Sequence, residues 1–338
     1  SDISRDFPVG KSLIERTVRG VSNRLIGDQQ LLCGLERYSE SFDIFHTADP
    51  HYYYSYQLSK LRKGRKIPFL ISTAWETKPF NNEAIGQKKK IKYFCVNHTD
   101  HFFCHTERSK TCLIKEGVDE SKISMFRLGV DLERFKRQKN KKDNIVFMFV
   151  GRLVKEKGVM EAYEAFRNYV KEAKNHIKKP EFLIVGQGYL GAQLLERIKK
   201  DGLKDRVKIV KKRYESIHNL YRQADVFVLP SKNTKTWEEQ YGMVLIEAMA
   251  SGLPIITTCS GAIPEIVDKT AVMVDEGNLS ELCKAFRLLG DDRSLRDKIG
   301  TMGRERAVKE FDRRKTARII ESLYIKLYEI KRNNNLKR

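Results

Sequence analysis

Glu239 and Glu247 frame the stretch richest in chemistry. They stand in Glu239-Gln-Tyr241-Gly242-Met243-Val244-Leu-Ile-Glu247, downstream of an apolar run, Val226–Leu229, that ends at Pro230. The run reads as a buried strand; the periodic segment from Met243 to Ala250, closed by Gly252 and Pro254, reads as a helix. A helix start leaves its first N–H groups unpaired at the positive dipole end, so the amides of Gly242, Met243 and Val244 form a cradle for a phosphate. A carboxylate accepts hydrogen bonds in pairs, which suits vicinal hydroxyls, and its charge stabilises a developing oxocarbenium-like cation. Beside a phosphate the same charge repels. Glu239 is therefore predicted at a sugar ring and Glu247 at a ribose. The alternative for the same pattern is a solvated loop acid at Glu239 and a dipole-satisfying helix acid at Glu247.

Two cations occupy a similar strand-to-helix junction upstream. Arg152 and Lys157 follow the apolar run ending at Val150 and precede a helical pattern with Val159, Ala162, Tyr163, Phe166 and Val170 on one face. There they are placed to neutralise a pyrophosphate and its leaving charge, unless they are a pair of surface bases. Gly186-Gln-Gly188 is a glycine turn after a further strand and, lacking a third glycine, a weak phosphate-loop signal.

Taken together, Glu239-x7-Glu247, Glu-x-Tyr-Gly at 239–242, Ala248-Met-Ala-Ser-Gly-Leu-Pro254 and Gly261-Ala-Ile-Pro-Glu265 resemble the donor-binding half of glycosyltransferase family 4. Phe149-Val-Gly151-Arg152-Leu-Val-Lys-Glu-Lys157-Gly and Ile184-Val-Gly186-Gln-Gly188 are similar to its other donor motifs, in the family's order. The resemblance implies a GT-B fold of two Rossmann-like parallel-sheet domains facing across a cleft. It also implies a retaining hexosyltransferase that uses a nucleotide-diphosphate sugar. Arg152 and Lys157 would take the diphosphate, Glu239 the donor sugar and Glu247 the ribose. Gly151, Gly186, Tyr241 and the amides at 242–244 would complete the donor site. Two cations and a helix terminus supply the charge that a metal otherwise would, so no metal or other cofactor is expected. Without a carboxylate placed under the anomeric carbon, same-face attack with the leaving phosphate as base is expected over a covalent intermediate.

These residues need a scaffold, and the pattern supplies one. At 338 residues, with 41% apolar and 10% aromatic content, the chain is long enough for two cores. Strand candidates at 144–150, 181–185, 207–210, 225–229, 254–258 and 271–274 alternate with helical patterns near 158–175, 190–202, 214–223, 242–251 and 279–290. Such alternation predicts a parallel sheet covered by helices. Before it come only four strand candidates, 42–46, 68–73, 102–105 and 122–127, where a Rossmann-type domain has about six. We therefore expect an abbreviated first domain lacking upstream strands. The predicted division is 1–142, the acceptor side, led by a helix over 21–38; 143–311, the nucleotide-sugar side; and 312–338, a helix starting at Asp312 with Ile320, Leu323, Tyr324 and Leu327 on one face. In the resembled fold that helix crosses back to the first domain.

In the first half, His46 ends a strand in a segment similar to a family motif with a cleft-side histidine. Pro68-Phe-Leu-Ile-Ser-Thr-Ala-Trp75-Glu76 resembles the family's strand ending in Thr-x-His, with Trp75 where the histidine is expected. His46, Trp75 and Glu76 are acceptor-side candidates. Cys95, His98, His101, Cys104 and His105 have zinc-compatible chemistry, but a helix-to-strand joint within the run makes their side chains diverge. The six cysteines read as reduced, buried thiols of a cytosolic protein.

Charge bears on partners. The formal net charge is +21, and Lys60-Leu-Arg-Lys-Gly-Arg-Lys66, Lys88-Lys-Lys-Ile-Lys92 and Lys136-Arg-Gln-Lys-Asn-Lys-Lys142 concentrate it. An anionic membrane surface, a lipid-linked or phosphorylated acceptor, or a merely solubilising surface all fit. No nucleic-acid-binding motif accompanies the runs, so nucleic acid is set aside. No apolar run approaches the length that spans a bilayer, and no signal peptide is found. A cytoplasmic protein associated with the inner membrane face is expected. A sugar-nucleotide epimerase of the same plan and a non-catalytic sugar-nucleotide-binding scaffold are the competing readings.

Overall fold

The computed structural model describes residues 32–81, 83, 86–136, 144–172 and 179–336. The chain divides into two compact units, Ser1–Phe126 with Ala317–Arg338, and Arg127–Thr316.

The first unit holds four parallel strands in the order β1 (Phe45–Thr47), β2 (Leu70–Ala74), β3 (His101–Cys104), β4 (Ile123–Met125). β3 is buried along its whole length, as expected where helices cover both faces of a parallel sheet. Helices α1 (Tyr53–Lys63), α2 (Gly86–His98) and α3 (Glu107–Lys115) connect the strands. α3 starts at a capping box, in which the Thr106 hydroxyl accepts from the Ser109 amide at 3.1 Å. Asp100 ties α1 to the sheet, accepting from Arg62 Nε at 2.6 Å and from the Leu70 amide at 2.8 Å. Of the helix predicted over 21–38, residues up to 31 lie outside the described ones, and Leu35–Tyr38 is a single 3-10 turn.

The second unit holds six parallel strands: β5 (Val146–Val150), β6 (Glu181–Val185), β7 (Val207–Val210), β8 (Val226–Leu229), β9 (Ile255–Thr258) and β10 (Val272–Val274). Their order is β10-β9-β8-β5-β6-β7. From β5 the chain winds outward to β7, then returns to β8 on the other side of β5 and winds outward again. The switch point therefore lies between β5 and β8, where such sheets open a crevice beyond the carboxyl ends of their strands. Helices α4 (Val159–Glu172), α5 (Gly191–Lys200), α6 (Tyr214–Tyr221), α7 (Met243–Ala250), α8 (Ile263–Val267), α9 (Leu279–Asp291) and α10 (Arg293–Glu310) belong to this unit. The face of α4 is as predicted except that Tyr169, not Val170, closes it; its hydroxyl donates to Asp291 at 2.9 Å. Phe147 stacks on Phe286 at 4.6 Å and meets Phe166 edge-on at 6.1 Å. Burying each such ring contributes roughly 1.5–3 kcal/mol.

The division between units falls after Phe126, not at the predicted 142/143. Val130 forms a parallel bridge to Asp312, its amide donating to the Phe311 carbonyl at 2.8 Å, and Phe135 packs against Tyr221 at 5.5 Å. These contacts bind residues 127–136 to the second unit. Helix α11 (Arg313–Leu336) is capped by Asp312, which accepts from the Arg314 amide at 2.9 Å; from Ala317 onward it belongs to the first unit. The cysteines also differ from expectation. All six are free, but only Cys95, Cys104 and Cys112 are buried, whereas Cys33 and Cys259 are exposed. Among the described residues, no helix is long and apolar enough to cross a membrane.

One close approach fixes the switch point. Gly158 has φ +68°, and a Cβ there would stand 2.0 Å from the Pro230 carbonyl oxygen at the end of β8. Gly117 has φ +92°, and a Cβ there would meet nothing within 4 Å. Gly158→Ala is expected to lose at least about 2 kcal/mol in urea denaturation, and Gly117→Ala only about 1 kcal/mol.

Candidate functional site

The motifs that carry Arg152 with Lys157 and Glu239 with Glu247 follow β5 and β8, the two strands that flank the switch point. After β5, Gly151 donates its amide to the Val185 carbonyl at 3.0 Å, and Leu153 donates to Gln187 at 2.9 Å. The loops after β5 and β6 nest this closely because Gly186 has no side chain; a Cβ there would stand 1.9 Å from the Gly151 oxygen. The chain then makes a 3-10 turn, Lys155–Lys157, and the Lys232 amide donates to the Glu156 carbonyl at 2.8 Å. That bond and the Gly158 approach join the loop after β5 to the loop after β8.

This junction brings Lys157 and Glu239 into direct contact. Lys157 Nζ lies 2.6 Å from Glu239 Oε2 and 4.8 Å from the centroid of the Trp237 ring. Ser231 Oγ donates to the same Oε2 at 3.1 Å. Glu239 is 6% exposed. Its backbone is fixed from the other side, where the Ala262 amide donates to the Glu239 carbonyl at 2.8 Å and Gly261 leaves the space for that bond. Ser260 Oγ accepts from the Glu239 amide at 3.3 Å and donates to Asn233 Oδ1 at 2.7 Å. The Gly-Ala-Ile-Pro-Glu motif is thus the backrest of Glu239. Arg152 contrasts with this order. Its side chain is 61% exposed, and Nη2 lies 3.4 Å from Glu156 Oε1, a surface pairing worth little. The guanidinium can therefore swing to an anion at small cost.

Gly242 stands at the N-cap of α7 with φ 79° and ψ 51°, and its carbonyl accepts from the Leu245 amide at 2.8 Å. The first-turn amides at Met243 and Val244 have no carbonyl a turn earlier in the helix to donate to, so they can meet an acceptor from outside. Tyr241, beside Gly242, is held within the fold. It is 3% exposed and donates its hydroxyl to the Leu128 carbonyl at 2.9 Å, fastening the segment after Arg127.

Glu247 lies within α7 and is 2% exposed. Tyr221 donates to its Oε2 at 2.7 Å, and Tyr214 also hydrogen-bonds the carboxyl. Burial pushes Glu247 up to about 7, while burial and the neighbouring Glu247 hold the Tyr221 hydroxyl well above its ordinary range, so it remains a donor. Arg134 lies over the Tyr214 ring at 4.9 Å. Tyr214, Tyr221, Ser231 and Trp237 were not singled out in the sequence. The tyrosines carried a signal, since the i, i+7 spacing on one helical segment puts both on one face.

In the first unit the candidates do not form one cluster. His46 Nε2 pairs with Thr73 Oγ1 at 2.6 Å, and Nδ1 with the hydroxyl of Tyr324 from α11. Trp75 donates its amide to Asp49 Oδ1 at 2.7 Å, and its ring lies 4.5 Å from that of His105. Asp49, overlooked in the sequence, is buried, and burial raises it to about 7. Glu76 organises a turn, accepting from the Thr77 and Lys78 amides at 3.0 Å and from Asn81 Nδ2 at 2.8 Å. The cysteine and histidine run separates as its secondary structure requires. His98 ends α2 and pairs with the Phe94 carbonyl, whereas His101 starts β3 and pairs with Ser124 Oγ at 2.9 Å. Burial pushes the Cys95 and Cys104 thiols up to about 12. Among the described residues, no group of three or more His, Cys, Asp or Glu is placed to hold a metal.

Comparison with known proteins gives the family and the fold. The family model "Glycosyl transferases group 1" matches residues 130–306. The capsular polysaccharide biosynthesis glycosyltransferase CapM of Staphylococcus aureus is 28% identical over 264 residues, covering 70% of this chain and 63% of its own. The Escherichia coli UDP-Gal:alpha-D-GlcNAc-diphosphoundecaprenol alpha-1,3-galactosyltransferase is 33% identical over 183 residues, covering 50% of this chain and 45% of its own. The chain thus spans about half to two thirds of the length of these relatives. In fold it is similar to sucrose-phosphate synthase from Thermosynechococcus elongatus, with a TM-score of 0.72 at 19% identity over 87% of this chain and 76% of that one. The two parallel sheets are those of the GT-B architecture.

The buried Glu247 carboxyl gives a pH test. Because burial raises its folded value, the fold favours the neutral form. Its effect on stability is therefore neutral below about 4.5 and becomes unfavourable as pH rises from there to about 7. Glu247→Gln removes that dependence. Urea titrations are expected to show the variant gaining on the wild type across that window, by up to about 3 kcal/mol.

Proposed function

The chain belongs to the group 1 glycosyltransferases, and on that premise we propose that it is a retaining transferase. It moves a sugar from a nucleotide-diphosphate sugar to a lipid-linked or other glycan acceptor at the cytoplasmic face of an anionic membrane. The observation that carries the reading is the Lys157–Glu239 pair, 2.6 Å long, at the switch point beside the start of α7. A diphosphate bound there meets the Lys157 ammonium, the Arg152 guanidinium and the amides at 242–244. It would draw Lys157 toward its own charge and leave Glu239 to accept from the hydroxyls of the donor sugar. Glu247, with Tyr221 and Tyr214 holding its carboxyl, faces the ribose. As the sugar–phosphate bond breaks, the cations stabilise the departing charge. The leaving phosphate oxygen takes the acceptor proton on the same face, so configuration is retained.

The resemblance to family 4 supports retention. The acceptor class is supported by the diphosphoundecaprenol-linked acceptor named for the Escherichia coli relative, and by the net charge of +21. UDP-sugars are the first donors to test, since that relative's named donor is UDP-Gal. No step in this scheme requires a metal or another cofactor.

Transfer from UDP-, GDP- and ADP-sugars to a polyprenyl-diphosphate glycan, followed by NMR of the product, tests the proposal. The expected product keeps the donor's anomeric configuration, and EDTA leaves the rate unchanged. An inverted product, or EDTA-sensitive transfer restored by magnesium or manganese, contradicts it. An altered sugar nucleotide formed without acceptor indicates an epimerase, and donor binding with no turnover a binding scaffold. Arg152→Ala, at an exposed position, is expected to lower kcat by about a hundredfold or more with stability changed by less than about 0.5 kcal/mol.

A further inference from the structure

We infer that the outer face of α1 and α2 in the first unit is a docking surface for the headgroup region of an anionic lipid bilayer. This rests on the membrane-surface part of the function proposed above and is independent of the transfer chemistry. On α1, Tyr53, Tyr56, Lys60 and Lys63 follow the spacing that places them on one helical face. That face adjoins α2 through the Tyr56 and Phe94 rings, 5.0 Å apart, and the strip continues on either side, Tyr53 to Tyr56 at 5.6 Å within α1 and Phe94 to His98 at 4.3 Å within α2. The lysines lie on this aromatic strip. Lys60 Nζ stands 4.9 Å from the Tyr56 centroid and Lys63 Nζ 5.4 Å from that of Phe94.

Charge and ring geometry identify the partner. Residues 52–66 hold five Lys/Arg and residues 86–98 hold four, and neither stretch contains an acid. Three of these cations are engaged within the fold, Arg62 with Asp100, Lys92 with Glu116 and, at 3.4 Å, Lys89 with Glu83. Lys60, Lys63, Lys89 and Lys90 are exposed. A patch with one sign of charge fits an anionic surface, and lysine stems lying along rings let the ammonium reach headgroups while apolar carbons stay at the interface. Tyrosine is suited to that depth, with an apolar ring and a hydroxyl for the wet side. Single-stranded nucleic acid fits less well. Binding it calls for open ring faces on which bases stack, and here the rings meet one another at steep angles under lysines.

The test uses the full chain and phosphatidylcholine vesicles with or without phosphatidylglycerol. The wild type is expected to sediment with the anionic vesicles only, and less so at high salt. A Lys60→Glu/Lys63→Glu/Lys90→Glu variant should lose about a hundredfold or more in partitioning. A Lys199→Glu/Lys204→Glu/Lys298→Glu variant, equal in charge change but in the second unit, should lose at most about tenfold. Tyr53→Trp should show a blue-shifted emission on anionic vesicles, over the background of Trp75 and Trp237. Equal losses in the two charge variants, no vesicle binding by the wild type, or binding of poly(U) without binding of vesicles would overturn the inference. Nucleotide-sugar binding on the same samples reports on the donor site separately, and it should be the same in both variants.

Discussion

The site in the second unit depends on one contact, the ion pair between Lys157 and Glu239. Removing two charges from water is costly, and the pair persists only where geometry and further hydrogen bonds offset that cost. Each support comes from a different part of the chain. Gly158 permits the backbone of one loop to touch Pro230, Ser231 donates to the carboxylate, and Gly261 lets the Ala262 amide hold the Glu239 carbonyl. Four segments separated in sequence thus meet at one carboxylate. In the proposed function the same arrangement would serve a diphosphate. There an incoming anion would compete with Glu239 for Lys157, and the displaced carboxylate would be left next to the sugar that the diphosphate carries.

The sheet topology explains why this contact lies where it does. β5 and β8 are neighbours in space although they are far apart in sequence, and the loops that leave them carry Arg152 with Lys157 and Ser231 with Glu239. The start of α7 lies beside the contact, since a Cβ at Gly242 would stand 3.6 Å from Glu239 Cγ. Glu247, one turn farther into α7, is held by two tyrosines from α6, so its carboxyl stays oriented even when neutral.

Much of this was legible in the sequence because parallel strands buried on both faces are short, nearly continuous apolar runs. Val226–Leu229 and Glu181–Val185 were bounded correctly for that reason. The motif glycines were legible too, although only the structure shows what each one avoids. What could not be read was the set of partners. Nothing in the spacing of Lys157 and Glu239 indicates a direct contact, since it depends on which strands adjoin. Glu76 reads as an acceptor-side candidate because a carboxylate after a strand end suits either a ligand or a turn, and only the structure shows that it accepts from the amides of Thr77 and Lys78. The unit boundary was misplaced because the basic run after Phe135 reads as a linker, whereas the pairing of Val130 with Asp312 is a long-range contact.

The most direct test of the central claim is a calorimetric titration of nucleoside diphosphates into the wild type and into a Lys157→Met/Glu239→Gln double variant. The double substitution removes both charges at similar volume, so neither is left buried without a partner. The account predicts saturable binding of one nucleoside diphosphate by the wild type, weakened at least about thirtyfold, near 2 kcal/mol, in a variant that remains folded. Equal affinity in the two proteins would contradict it and place the diphosphate away from the Lys157–Glu239 contact.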